Sequence, residues 1–161
     1  NALAQNIAKL DVKNANLYTE NAAAYSKQLA DLDAEYLKMV KAAGKKTVLF
    51  GDRFPFRYLV DDYGIKYYAA FVGCSAESEA SFETIKFLAG KVDELGLSSV
   101  LTIEKSDKKI AKTIVQSSNN KNCKILEMNS IQSVTKKDIK NGISYLKIMK
   151  GNLDVLKESL K

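Results

Sequence analysis

Apolar positions follow two different periods along this chain, and the change of period marks its architecture. In the first stretch they recur at helical spacing. Leu3, Ile7 and Leu10 predict a short helix over 2–10. Asp11 is a suitable N-cap for a second helix. Tyr18, Tyr25, Leu29, Leu32, Tyr36 and Val40 then form one stripe, predicting a long helix to about residue 42, ended by Ala43-Gly44. That stripe outlasts one layer of a small domain, so part of this helix is expected to contact another body. At Thr47-Val48-Leu49-Phe50 the period is lost and a continuous apolar run appears. Such a run predicts a strand covered on both faces. Gly51 is expected to allow a sharp exit, and Pro55, the single proline, to open a helix over 55–63.

From there runs of both kinds alternate. Strands are predicted over 47–50, 67–72, 99–104 and 124–128. Helices are predicted over 55–63, 81–95, 108–117 and 144–160. Gly64, Gly96 and Gly142 punctuate them, with Thr135 a candidate cap before the last. Strands separated by helices are βαβ units. The expected fold class is therefore α/β: a four-stranded parallel sheet flanked by helices, preceded by a long N-terminal helix. We divide it at 1–42 and 43–161. Parallel strands discharge on one edge, where open α/β sheets bind ligands. That edge should collect Gly51-Asp52-Arg53, Gly73-Cys74-Ser75, Glu104-Lys105 and Asn129-Ser130.

Composition narrows the chemistry. The 161 residues carry no histidine, which removes His-based acid/base catalysis and His metal ligation from this chain. The net charge of +6 comes from scattered lysines and only two arginines, Arg53 and Arg57. A nucleic-acid surface concentrates Lys/Arg with interleaved aromatics, so solvated helix faces account better for these lysines, and no nucleic-acid partner is expected. No apolar run of membrane-spanning length is present, and no stretch of these residues reads as a signal peptide, which leaves the compartment open. Starting at Asn1 without a methionine, the chain reads as a processed product or an excised fragment. The two cysteines, Cys74 and Cys123, are expected at opposite ends of their strands, too far apart for a disulfide.

The candidate residues are carboxylates and one thiol. Asp52 and Glu104, both at strand exits, offer oxygen ligands for a divalent cation. The competing assignment is that each caps the helix after it. Cys74, at the second strand exit, would need a base or a helix N-terminus to become a nucleophile, and the usual histidine is absent. Glu77, Glu79 and Glu83 read as electrostatics around the start of the helix capped by Ser81. Neither a GxGxxG nor a Walker sequence is present.

Several local patterns carry a resemblance. Phe56-Arg57-Tyr58-Leu59 is followed by Asp62-Tyr63-Gly64. Glu77-Ser78-Glu79-Ala80-Ser81 forms an acidic loop. Asn129-Ser130-Ile131 precedes Ser144-Tyr145, Met149 and Asn152. Leu10-Asp11, Asn14, Tyr18, Asn21 and Tyr25 run along the first stretch. Their order resembles the C-terminal half of zinc- and manganese-type (cluster A-I) substrate-binding proteins of ABC importers, over the whole chain. The resemblance implies a lobe that helps capture a divalent metal, zinc or manganese, without catalysing a reaction. It implies as partners a missing N-terminal lobe, the usual source of a histidine pair, and a membrane permease. It implies an extracytoplasmic location, as a cell-surface lipoprotein or in a periplasm, and residues 1–42 as the interlobe helical segment. The family's two C-lobe ligand positions fall on Arg53 and Asn129. Neither residue is a usual ligand. Asp52, with Glu104, is then the expected metal ligand set, and Arg53 is expected to be held by Glu77 and Glu79. Metal binding by this chain alone is expected to be weak or absent. Two alternatives remain: a surface interaction or adhesin module without a metal, and a small α/β enzyme using Asp52 and Cys74.

Overall fold

A computed structural model describes residues 1–72 and 80–161. The chain divides into two units, Asn1–Lys38 and Met39–Lys161. In the first, helix α1 spans Ala2–Leu10 and a short 3-10 turn Val12–Asn14 leads into helix α2, Ala15–Ala42, which continues into the second unit. Asp11 stands before the turn, as expected, but its side chain caps no backbone N–H. Its carboxylate instead accepts from Asn14 Nδ2 at 2.7 Å and from Tyr18 Oη at 2.8 Å. These hydrogen bonds, Asn14 first, hold the Asp11 carboxyl below its ordinary range. Leu32 and Tyr36 of the predicted stripe are buried, whereas Tyr25 stays exposed.

The second unit is a four-stranded parallel sheet in the order β2-β1-β3-β4. The strands are β1 Thr47–Phe54, β2 Lys66–Val72, β3 Ser99–Ile103 and β4 Lys124–Met128. Helix α3 (Arg57–Asp62) joins β1 to β2. Helix α4 (Phe82–Glu94) precedes β3, and α5 (Lys109–Ser117) joins β3 to β4. After β4 come α6 (Lys136–Lys140) and α7 (Tyr145–Ser159). Every residue of central β3 is buried, including the polar Ser99 and Thr102 that flank Val100 and Leu101. On one face, Leu49 and Val100 join Leu88, Val92 and Ile114 of α4 and α5 in one core. Ser99 points to the opposite face, since side chains alternate along a strand. Its hydroxyl donates to Ser159 Oγ at 2.8 Å, which puts α7 on that face.

Two expectations at β1 need correction. The strand does not leave the sheet at Gly51 but runs on to Phe54, so Asp52 and Arg53 are strand residues. Its pairing with β2 joins Phe50 to Ala69 and Arg53 to Phe71, three steps against two, so β1 carries a bulge of one extra residue. Gly51 is required for a different reason. A Cβ there would lie 2.6 Å from Ala111 Cα, so α5 crosses β1 where only glycine fits. Pro55 precedes α3 rather than opening it. The connection after β4 also contains a helix the hydrophobic pattern did not show, α6. Thr135 caps it in a reciprocal box with Asp138.

Candidate functional site at the carboxyl edge of the sheet

The parallel order brings the ends of β1, β3 and β4 together. At the β2 exit, Gly73–Glu79 lie outside the described residues, and with them Cys74, Glu77 and Glu79.

Asp52 sits on the bulged end of β1, its side chain 12% exposed. Oδ1 accepts from the Arg53 N–H at 2.8 Å, and Oδ2 receives the Ile103 N–H at a long 3.5 Å. A carboxylate offers about four lone-pair directions, so Asp52 keeps acceptor capacity toward solvent. Arg53 Nε lies 3.9 Å from Asp52 Oδ1, and the arginine side chain is 44% exposed. Asp61, another conceivable partner of Arg53, is taken by Arg57 at 2.6 Å.

Glu104 is placed differently. It is buried at the end of β3. Oε2 accepts from the Ser130 N–H at 2.7 Å and Oε1 from the Ser130 hydroxyl at 2.8 Å. Burial is the largest single influence on this carboxyl and pushes its pKa up. The hydrogen bonds from Ser130, from its own N–H and from the Gln132 N–H together outweigh burial, and the group stays below the ordinary range. Neither Asp52 nor Glu104 caps the helix after it; each reaches across to the neighbouring strand or its exit loop.

Asn129 follows β4. Its Oδ1 accepts from the Ile131 N–H at 2.8 Å, an Asx turn, so its side-chain oxygen is engaged by its own loop. Its backbone is clamped by Asn152 of α7, which is 2% exposed. Asn152 Oδ1 accepts from the Asn129 N–H at 2.8 Å, and Asn152 Nδ2 donates to the Asn129 carbonyl at 2.9 Å. Two further links join the β3 and β4 ends. Lys105 Nζ donates to the Ser133 carbonyl at 2.8 Å, and Lys108 Nζ lies 3.1 Å from Glu127 Oε2.

The edge therefore collects Asp52, Arg53, Glu104 and Asn129, and of the two carboxylates Asp52 is the one that keeps spare acceptors among the described residues. Among the described residues no three His, Cys, Asp or Glu side chains group as a metal centre. Cys123 lies at the other end of β4. Its thiol is buried and 3.7 Å from the Leu97 carbonyl; burial first, and Asp93 second, push its pKa to about 11, which makes it inert. Sequence reasoning did not assign roles to Ser130 and Asn152. A signal existed for Asn152: it stands between Ile148 and Leu156 on the buried stripe of α7, where an amide needs a buried partner.

Comparison with known proteins adds a second line of observation. Residues 1–159 match the family described as zinc-uptake complex component A, periplasmic. The chain is 31% identical over 154 residues to the high-affinity zinc uptake system protein ZnuA of Bacillus subtilis (strain 168), covering 96% of this chain and 47% of that protein. In structure it is similar to the metal-dependent lipoprotein YcdH of Bacillus subtilis, with a TM-score of 0.79 and 29% identity, covering 98% of this chain and 57% of the other. It is also similar to the laminin-binding protein Lbp of Streptococcus pyogenes, with a TM-score of 0.77 and 25% identity, covering 98% and 57%. The chain thus spans about half the length of the proteins it matches.

Proposed function

This chain belongs to the zinc-uptake complex component A family, and from that premise we propose that it is the C-terminal lobe of an extracytoplasmic solute-binding protein that captures a divalent metal for an ABC importer. Zinc is the first candidate cargo and manganese the second. In this reading residues 1–42 are the interlobe segment and 43–161 the lobe. The N-terminal lobe and a membrane permease are the partners, anchorage is by lipid or the protein is periplasmic, and no reaction is catalysed. The observation that carries the reading is Asp52, a carboxylate with free lone pairs at the edge where parallel sheets receive ligands.

The donor chemistry limits what this lobe contributes. Zinc prefers nitrogen and sulfur donors in a tetrahedral set, and this chain has no histidine. Glu104 has both oxygens engaged by Ser130, and Asn129 has its oxygen in its own turn. Asp52 is left as the one ligand offered by the described part of the lobe. Arg53 beside it opposes a bare cation, and more so where water is excluded. In this reading further ligands come from the other lobe, and the pair of lobes closes on the metal.

Calorimetric titration of the full-length protein with zinc tests this. Asp52→Ala should weaken binding at least tenfold, about 1.4 kcal/mol. Unchanged affinity in that variant would remove Asp52 from the site, and absence of zinc binding in the unsubstituted protein would overturn the metal reading. A second reading, a surface interaction module, draws on the similarity to the laminin-binding Lbp and on the exposure of Leu3, Leu10 and Val12. It expects laminin binding that is indifferent to zinc and to Asp52→Ala.

A further inference from the structure

Every described non-glycine residue with a positive φ lies on the loops that leave β3 and β4. These are Lys105 at 60°, Lys108 at 61° and Ile131 at 68°. The last is the most telling, because a β-branched residue resists the left-handed region. Such conformations persist only where the surroundings over-determine them. The surroundings here are explicit. Glu104 holds Ser130 by its N–H and its hydroxyl, the Asn129 side chain holds the Ile131 N–H, and Asn152 holds both backbone groups of Asn129. Lys105 ties down Ser133 beyond them. Three of these contacts cross between the β3 and β4 exits, the two from Glu104 and the one from Lys105. The two exits therefore form one braced rim, with the buried Glu104 at its centre.

We propose that Glu104 is a positioning residue: it makes no bond to the captured ligand, and it locks the β4 exit loop, Asn129 to Gln132, into the shape that the closing site requires. This rests on the zinc-capture reading. A carboxylate suits the task because both of its oxygens accept, whereas a glutamine of the same size would turn an NH2 donor toward one of the two Ser130 donors. The Ser130 N–H sits at the short distance of a charge-assisted bond, 2.7 Å, and the hydroxyl at 2.8 Å.

The test uses the full-length protein, Glu104→Gln, and Ser130→Ala, which keeps the Ser130 N–H contact to Glu104 but deletes the hydroxyl, with its bond to Glu104 and its 3.4 Å contact from the Gln132 N–H. Amide hydrogen exchange of the metal-free proteins should show faster exchange at Ser130, Ile131 and Gln132 in Glu104→Gln, and a smaller rise in Ser130→Ala. Zinc affinity should fall in Glu104→Gln, because the loop that Glu104 shapes forms part of the edge on which the site closes. The visible bands of the cobalt-substituted protein should keep their wild-type positions, because the ligand set is unchanged. Shifted cobalt bands would make Glu104 a ligand and overturn the proposal. Faster exchange with undiminished zinc affinity would reduce Glu104 to a purely structural brace, and unchanged exchange would remove even that. If the unsubstituted protein binds no zinc, the zinc-capture reading falls and the positioning role falls with it. If it binds zinc and Glu104→Gln binds as tightly, only the positioning role falls.

Discussion

The two halves of the sheet's carboxyl edge are built on different terms. At the β1 exit, Asp52 is held by a neighbouring N–H at 2.8 Å and a long contact at 3.5 Å, and Arg53 beside it is half-exposed. At the β3 and β4 exits, a buried carboxylate, a buried amide and a lysine fasten one loop at five points. A carboxylate that satisfies two donors on one residue is spent on structure, whereas one with a long second contact retains acceptors for a ligand. Two acids at equivalent strand ends thus have different surroundings, and the separate roles proposed for them rest on what each touches.

The strongest way to break this contrast is to cut the brace at its most buried point. Asn152→Ala leaves both the N–H and the carbonyl of Asn129 without partners. Each orphaned group costs about 1–3 kcal/mol, so the pair should cost roughly 2–6 kcal/mol. Urea denaturation of the chain measures it. A loss below ~1 kcal/mol would mean that water replaces Asn152 and the rim is looser than its hydrogen bonds imply.

The next effect belongs to β1. Gly51→Ala drives a methyl into the backbone of α5, where the nearest atom would be 2.6 Å away. Forced overpacking of this kind costs about 1–3 kcal/mol. The same denaturation measurement applies, and a neutral result would show that α5 slides freely over the strand. The Asp52 end would then lack a fixed base, and the contrast would become one of mobility alone.

The sheet was legible in the sequence because strands and helices have different apolar periods, and turn residues separate them. All four strands and their parallel direction followed from that, though not their order in the sheet. What was not legible came from contacts without a local signature. The extension of β1 to Phe54 depends on pairing with β2, and the need for Gly51 depends on α5, far later in the chain. The site divided along the same line. The placement of Asp52, Arg53, Glu104 and Asn129 on one edge follows from topology. Which of the acids stays open depends on Ser130, and no spacing rule connects Ser130 to Glu104. Asn152 was visible as an amide on an apolar stripe, but its partner was not.

A smaller effect should appear on acidification. The Glu104 carboxyl is held below its ordinary range, so the folded state favours its ionised form. The stability this contributes is present above the unfolded carboxylate's pKa and is lost as pH falls through the lower folded one. Glu104→Gln should therefore flatten part of the acid limb of a stability-against-pH curve, below about pH 4.5. A curve parallel to wild type would mean that Glu104 gains nothing from its charge. Its lead over Asp52 as a structural group would then have to rest on packing.

The smallest change is expected where function is placed. Asp52→Asn keeps the size of the side chain and an oxygen able to accept the Arg53 N–H. The bond to Ile103 is already 3.5 Å, at the weak limit, and the ion pair with Arg53 is 3.9 Å at a partly exposed position. Little folding energy therefore depends on the charge, and stability should stay within about 0.5 kcal/mol of wild type. The charge is nonetheless what a divalent cation needs from this lobe, so zinc affinity of the full-length protein should fall in the same variant. Thermal unfolding without metal and calorimetry with it measure the two quantities on one preparation. A variant stable to within that margin but weak for zinc would separate the two acids cleanly: Asp52 for the ligand, Glu104 for the frame. A variant that loses stability by more than about 1 kcal/mol would show that Asp52 braces the β1 exit as Glu104 braces its neighbours. The edge would then be uniformly structural, and the zinc ligands would have to lie elsewhere in the protein.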